Sequence, residues 1–325
     1  MSDIMVRIGR HVSKLTGYAP ALPTPFTVEG DIDISAFEQM CDLQLTRGAT
    51  ALIVCGTTGE APTLTPEEHR LLIQIAATQT RGRIPVIAGA GANATAHAIE
   101  LTRDAEVAGA DAILSVVPYY NRPMQAGLYA HFQAIAESTG LPIILYDVPA
   151  RTGCCLSDHT VARLAELPRI IGLKDAAGDA TRPARLRPLV GANFRLLCGE
   201  DGLALPYLAQ GGDGCISMTS NVAPGLCRSM FWAWKQGHSV HARRLERPIS
   251  ELTAALFHET NPAPLKQALA FLGLMSPAVR LPLVGLSEPH RIELSELLFR
   301  LCHEHGDQMI SSVRTAPVDR RVAVG

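Results

Sequence analysis

The sequence predicts a (β/α)8 barrel with a helical appendage at its C-terminal end. Three observations lead there. Eight short apolar runs recur along the chain, longer amphipathic segments separate them, and 325 residues exceed the roughly 250 that such a barrel needs. The runs cover residues 19–22, 51–55, 85–90, 112–116, 143–146, 170–174, 194–198 and 214–218. Each is four to six residues long and sits beside Gly, Pro or Asp, or close to one. Parallel strands buried on both faces read this way.

The segments between the runs have helical marks. "TPEE" at 65–68 supplies an N-cap, a proline for the first helical position and early acids. Leu128, Phe132, Ile135 and Ala136 fall on one face at helical spacing. Beyond about residue 234 come "SVHARRLERPISELTAALF", "PLKQALAFLGL" and "PHRIELSELLFRLCHE", three helices expected to pack on the barrel. The expected division is a barrel at 17–234 and a helical region at 235–310, with loose ends at 1–16 and 311–325. The rival is a doubly wound open sheet, which needs a Gly-rich phosphate turn after an early strand. "GAGAN" at 89–93 lacks the third glycine and the later acid of that turn.

Composition removes several function classes. A net charge of −2 supplies no basic field for nucleic acid or a membrane surface. "MSDIMVRIGRHVSK" has no apolar core of the secretion-signal kind, and no run of 18 apolar residues spans a bilayer, so a cytoplasmic protein is expected. The eight cysteines lack CxxC spacing. Cys55, Cys198 and Cys215 lie in apolar runs, as small buried apolar residues rather than disulfide or metal ligands.

Barrel chemistry gathers where strands end and in the loops that follow. Only four lysines stand against twenty-five arginines, yet Lys174 closes the apolar run "IIGLKD". Burial disfavours the ammonium, and the neutral amine is a nucleophile that condenses with a ketone to an imine. Pairing with Asp175, or snorkelling to the surface, is the competing account, and from the run alone it is slightly the stronger. The other strand ends shift the balance. "GTTGE" offers the Thr57 and Thr58 hydroxyls and backbone amides between glycines, a wrap for a small anion. Tyr146 ends one strand and Tyr120 follows another. Arg151 carries a two-pronged donor suited to a carboxylate, or to a surface ion pair. His303 and His305 diverge on a solvated helix, and no metal cluster is expected.

"GTTGEAPTL", "PYYNRP", "YDVPARTG", "IIGLKDAAG" and "NPAPLKQAL" resemble the dihydrodipicolinate synthase/N-acetylneuraminate lyase family of pyruvate-dependent class I aldolases. The likeness runs from about residue 17 to about 299 with the motifs in family order. Arg151 resembles the synthase branch; sialic-acid lyases lack an arginine there. The resemblance implies condensation of pyruvate with L-aspartate 4-semialdehyde in lysine biosynthesis. It implies that Lys174 forms a Schiff base with pyruvate and Tyr146 serves as general acid and base. Thr57 and Thr58 would hold the pyruvate carboxylate, and Arg151 the semialdehyde's. Thr57 and Tyr120 would complete a proton relay, and Gly199, Ile216 and Asn261 would lie near the pyruvate pocket. In the family that second tyrosine crosses from a neighbouring subunit, which implies a homo-oligomer, a tetramer built as a dimer of dimers. No metal or organic cofactor is implied. A family aldolase for another aldehyde and a non-catalytic keto-acid-binding barrel stay open. Lysine-inhibited bacterial members resemble this chain at His69, Asn93 and Tyr119, but have histidine where it has Pro66 and glutamate where it has His97. The difference implies weak feedback by lysine.

Overall fold

The computed structural model describes residues 15–310; of the loose ends expected at 1–16 and 311–325, all but residues 15 and 16 lie outside the described residues. Eight strands follow in chain order: β1 Gly17–Pro20, β2 Leu52–Val54, β3 Val86–Gly89, β4 Ala112–Val116, β5 Ile143–Asp147, β6 Ile170–Asp175, β7 Arg195–Cys198 and β8 Gly214–Ser217. They pair in parallel in the order β1-β8-β7-β6-β5-β4-β3-β2. A parallel bridge from Ala21 to Ile53 and the bond from Leu22 N–H to Ile53 carbonyl (2.9 Å) close the ring. The fold is therefore the (β/α)8 barrel, and the open sheet is excluded.

Seven of the expected runs overlie their strands closely. The first is displaced because Gly17 and Tyr18 pair with Gly214 and Cys215, whereas Ala21 and Leu22 bond to β2. One short segment thus serves both neighbours at the seam.

Helices α1 Ile34–Thr46, α2 Pro66–Thr80, α3 Thr95–Val107, α4 Gln125–Glu137 and α5 Pro149–Thr152 cover the first half of the barrel. Then come α6 Asp158–Ala165, α7 Arg182–Val190, α8 Ala204–Ala209 and α9 Pro224–Lys235. Thr65 and Glu68 form the capping box of α2, each side chain accepting from the other's backbone N–H. The expected face of α4 is buried at Leu128, Phe132, Ile135 and Ala136. Three further helices follow: α10 Ser239–Leu256, α11 Ala263–Phe271 and α12 Glu288–His305. No helix among the described residues is long and apolar enough to cross a membrane. All eight cysteines are free thiols, with Cys55, Cys198 and Cys215 buried.

Apolar side chains form two layers. A larger one lies between strands and helices. A smaller one fills the barrel with Ile53, Ile87, Leu114, Ile144, Leu197 and Ile216 among its members. One irregularity decides which layer a key residue joins. Ile143 pairs with Ile170, but Ile144 pairs with Gly172, leaving Ile171 as an extra residue on β6. Side chains alternate between faces, so a one-residue slip exchanges them. With the bulge, Lys174 stands opposite Tyr146 and Asp175 opposite Asp147. An unbroken register would set Leu173 beside Tyr146 and turn Lys174 towards the helices.

Gly172 lets the bulge sit against β7. A Cβ there would lie 2.7 Å from the Arg195 carbonyl oxygen and 3.0 Å from the Arg195 Cβ. Alanine must push β6 and β7 apart, so Gly172→Ala is expected to lower stability by roughly 1–3 kcal/mol, the usual cost of overpacking. Calorimetry checks this, and an unchanged Tm would show that β7 yields freely.

Candidate active site

Lys174 and Tyr146 are neighbours on adjacent strands, each 7% exposed. The Lys174 Nζ lies 4.1 Å from the centroid of the Tyr146 ring. Among the described residues no carboxylate forms an ion pair with Lys174. Asp175 faces the other way and pairs with Arg182 at 3.1 Å. The lysine–aspartate pair that competed at the sequence level does not form. Gly199 follows β7, where a Cβ would come within 3.2 Å of Lys174 Cε and 2.9 Å of the Ala176 Cβ. Its lack of a side chain leaves the lysine stem room. Ile216 on β8 is buried in the same inner cluster as Tyr146. Asp201 holds the end of that strand, accepting from the Met218 and Thr219 N–H groups (2.9 and 3.1 Å) and the Ser217 hydroxyl.

The second group follows β2. Thr58 is buried, and its Oγ1 accepts a bond from Asn261 Nδ2 at 3.1 Å. Thr57 beside it is half-buried. Glu60 ends the loop in a left-handed conformation (φ 54°), its N–H bonded to the Thr57 carbonyl. Its carboxylate accepts from Lys266 Nζ at 2.5 Å and from Arg280 N–H at 3.0 Å. Lys266 is fully buried, and its ammonium lies 4.1 Å from the Phe26 ring centroid. Burial pulls the Lys266 pKa down to about 8, while Glu60 opposes the shift. Arg280 covers the same ring at 4.2 Å and grips both oxygens of Glu68 (2.5 and 2.7 Å), holding that carboxyl below the usual carboxylate range. The threonine loop is thus fixed from α11 and from the segments before and after it. Glu60, Lys266 and Arg280 escaped the sequence reading. The available signal was a second lysine among only four, set in the apolar stretch "NPAPLKQAL".

Two expected residues stay apart within one chain. Arg151 lies exposed in α5, and no ion pair engages it among the described residues. Tyr120 is 89% exposed with φ 72°, so it touches neither Tyr146 nor Lys174. Asn121 steadies that turn by donating to the Asn93 carbonyl at 2.8 Å. Elsewhere, donor atoms of His258, His290 and Glu293 lie within 4.8 Å of one another on the C-terminal helical surface. His303 and His305 are not in that group. Glu259 already engages His290 Nδ1 at 2.6 Å.

The sequence profile of the dihydrodipicolinate synthetase family matches residues 14–300. A 4-hydroxy-tetrahydrodipicolinate synthase of Rhodospirillum centenum is 50% identical over 275 residues, 85% of this chain and 94% of its own length. The dihydrodipicolinate synthase of Acinetobacter baumannii, solved in complex with pyruvate, is 42% identical with a TM-score of 0.85, covering 87% of this chain and 98% of that one. The enzyme of Cyanidioschyzon merolae, solved with lysine bound, is 37% identical with a TM-score of 0.86, covering 88% and 97%.

The Glu60–Lys266 pair has a measurable consequence. Removing one partner strands a buried charge, so Glu60→Gln or Lys266→Met is expected to cost about 3–5 kcal/mol. The double variant strands none and should cost much less than the sum. Denaturant unfolding of all four proteins gives the coupling, and additive losses would show the pair to be uncoupled.

Proposed function

We propose that this chain, which belongs to the dihydrodipicolinate synthetase family, condenses pyruvate with L-aspartate 4-semialdehyde to 4-hydroxy-tetrahydrodipicolinate, a step of lysine biosynthesis. The observation that carries the reading is Lys174, buried beside Tyr146 at a strand end and, among the described residues, in no ion pair with a carboxylate. Its neutral amine attacks the pyruvate carbonyl carbon, and loss of water leaves an imine. The protonated imine draws electrons from the methyl group, which gives up a proton and becomes an enamine carbon. That carbon attacks the aldehyde. The semialdehyde's own amine then displaces Lys174 and closes the ring. The imine is the electron sink, so no metal or organic cofactor takes part.

Tyr146 is assigned the proton transfers, with Thr57 and a Tyr120 delivered by a neighbouring copy of the chain. Support for that delivery is the cost of the turn: a non-glycine residue at φ 72° stores about 1–3 kcal/mol, kept where it serves a site. A homo-oligomer follows, read here as a dimer of dimers. Thr57, Thr58 and the loop amides receive the pyruvate carboxylate, while Gly199, Ile216 and Asn261 shape the pocket. The exposed Arg151 fork, in no ion pair among the described residues, supports an aldehyde that brings its own carboxylate. The barrel at 17–234 carries the chemistry, the region 235–310 supports it, and the compartment is the cytoplasm.

Pyruvate and borohydride together are expected to fix a pyruvate-derived mass on the Lys174 peptide. Tyr146→Phe should then slow turnover by roughly 10²–10⁴-fold, the span of a positioned acid–base group, with less effect on trapping. An adduct on another residue overturns the reading. Arg151→Ala is expected to raise the KM for the semialdehyde and leave trapping intact; an equal loss for both substrates would assign Arg151 to holding its loop.

Lysine feedback is expected to be weak. His97 is exposed beside Glu100 (3.4 Å), so it offers an effector ammonium no carboxylate of its own. The charge-assisted bond that a glutamate makes there contributes roughly 1.5–3 kcal/mol, about tenfold or more in affinity. Titrating lysine at saturating pyruvate tests this, and half-inhibition at sub-millimolar lysine refutes it.

A further inference from the structure

We infer that Arg182 is a positioning residue for the imine chemistry, holding Lys174 and Tyr146 in register from the opposite face of the sheet. The inference rests on the reading of Lys174 as the imine-forming lysine. Tyr146 and Lys174 pair across β5 and β6, and the next residues, Asp147 and Asp175, pair as well. Alternation turns both aspartates away from the pocket and towards the helices. There Arg182, the first residue of α7, meets them with only 4% of its surface exposed.

Its contacts use the whole guanidinium fork. Nη1 donates to Asp147 Oδ2 at 2.9 Å and to Asp175 Oδ1 at 3.1 Å. Nε donates to Asp158 Oδ1 at 3.1 Å and Nη2 to the Leu156 carbonyl at 2.6 Å. Tyr207 adds a bond from its hydroxyl to Asp175 Oδ2 at 3.3 Å. Burial pushes both carboxyls upward, and the guanidinium is the charge that opposes it. One nitrogen therefore ties the two strands one residue beyond the reacting pair.

The bulge gives this tie its significance. Ile171 interrupts the β5–β6 ladder only three residues before Lys174, so the ladder on the far side is short. A slip there exchanges faces and removes the amine from the pocket. The same aspartates also carry the site's backbone: the Asp175 carbonyl accepts the Gly199 N–H at 2.7 Å and the Asp147 carbonyl the Ala176 N–H at 2.8 Å. A lysine at 182 would bring the charge without the planar fork.

The test is the rate and the stoichiometry of pyruvate trapping by borohydride, beside steady-state kinetics, for wild type, Arg182→Gln and Arg182→Lys. Displacing reacting atoms by about 1 Å costs up to about 10²-fold. Arg182→Gln is therefore expected to lower the trapping rate and kcat by 10–100-fold in parallel. The KM for the semialdehyde should stay near normal, with every folded chain still trapped in the end. Arg182→Lys should recover part of the rate. Trapping at the wild-type rate in Arg182→Gln overturns the inference. So does a variant that loses stoichiometry while its remaining sites react normally, the signature of a purely structural residue. If Arg182→Gln does not fold, Arg182→Lys decides by the same readout; failure of both to fold makes Arg182 a fold requirement and also overturns it. Failure of wild type to trap pyruvate instead removes the imine reading itself.

Discussion

The pairing of Tyr146 with Lys174 across β5 and β6 is the constraint on which the site depends. It exists because one extra residue, Ile171, shifts the phase of β6 against β5. Gly172 makes that shift compatible with β7, since any side chain there meets the Arg195 carbonyl. The same shift that turns Lys174 inward turns Asp175 outward. A single backbone irregularity therefore supplies both an amine inside the barrel, without an ion pair among the described residues, and an anchoring carboxylate outside it.

The outer side is arranged to keep that phase. Asp147 and Asp175 are costly groups to bury, and removing their partner would strand them. Placing them behind the two pocket residues converts that cost into register, because the guanidinium satisfies both only when the strands are aligned. The loop after β2 follows a similar rule. Glu60, Lys266 and Asn261 join it to α11 and the residues before it, more than 200 positions later in the chain. The C-terminal helices thus act on the site without contributing a strand to the barrel.

The barrel was legible because its signal is local: apolar runs of strand length, capped helices such as the one opened by Thr65 and Glu68, and punctuation by Gly, Pro and Asp. The placement of Lys174, Thr58 and Tyr146 at or just after strand ends was legible for a related reason, since strand ends can be counted from the runs. The supports were not. Nothing near Arg182 in "DATRPARL" says that its fork reaches two aspartates from separate strands, and nothing near Glu60 names Lys266 as its partner. Such contacts depend on three-dimensional closure rather than on any pattern within a window of residues. The bulge was hidden too, because "IIGLKD" reads as an unbroken strand.

Two buried lysines, Lys174 at the end of β6 and Lys266 on α11, differ in what surrounds them. Lys266 has a carboxylate at 2.5 Å and the Phe26 ring face, contacts that favour its ammonium against burial and the neighbouring Arg280. Lys174 has the face of a tyrosine ring and, among the described residues, no carboxylate partner. A ring face holds an ammonium far less firmly than a buried carboxylate does. An ammonium has no lone pair to offer a ketone, so a nearby carboxylate would oppose the proposed chemistry by favouring the wrong protonation state. Asp175 is the residue best placed in sequence to do that. By sending it to the far side of the sheet, into the grip of Arg182, the fold removes the obstacle and uses the same carboxylate to hold the amine in place.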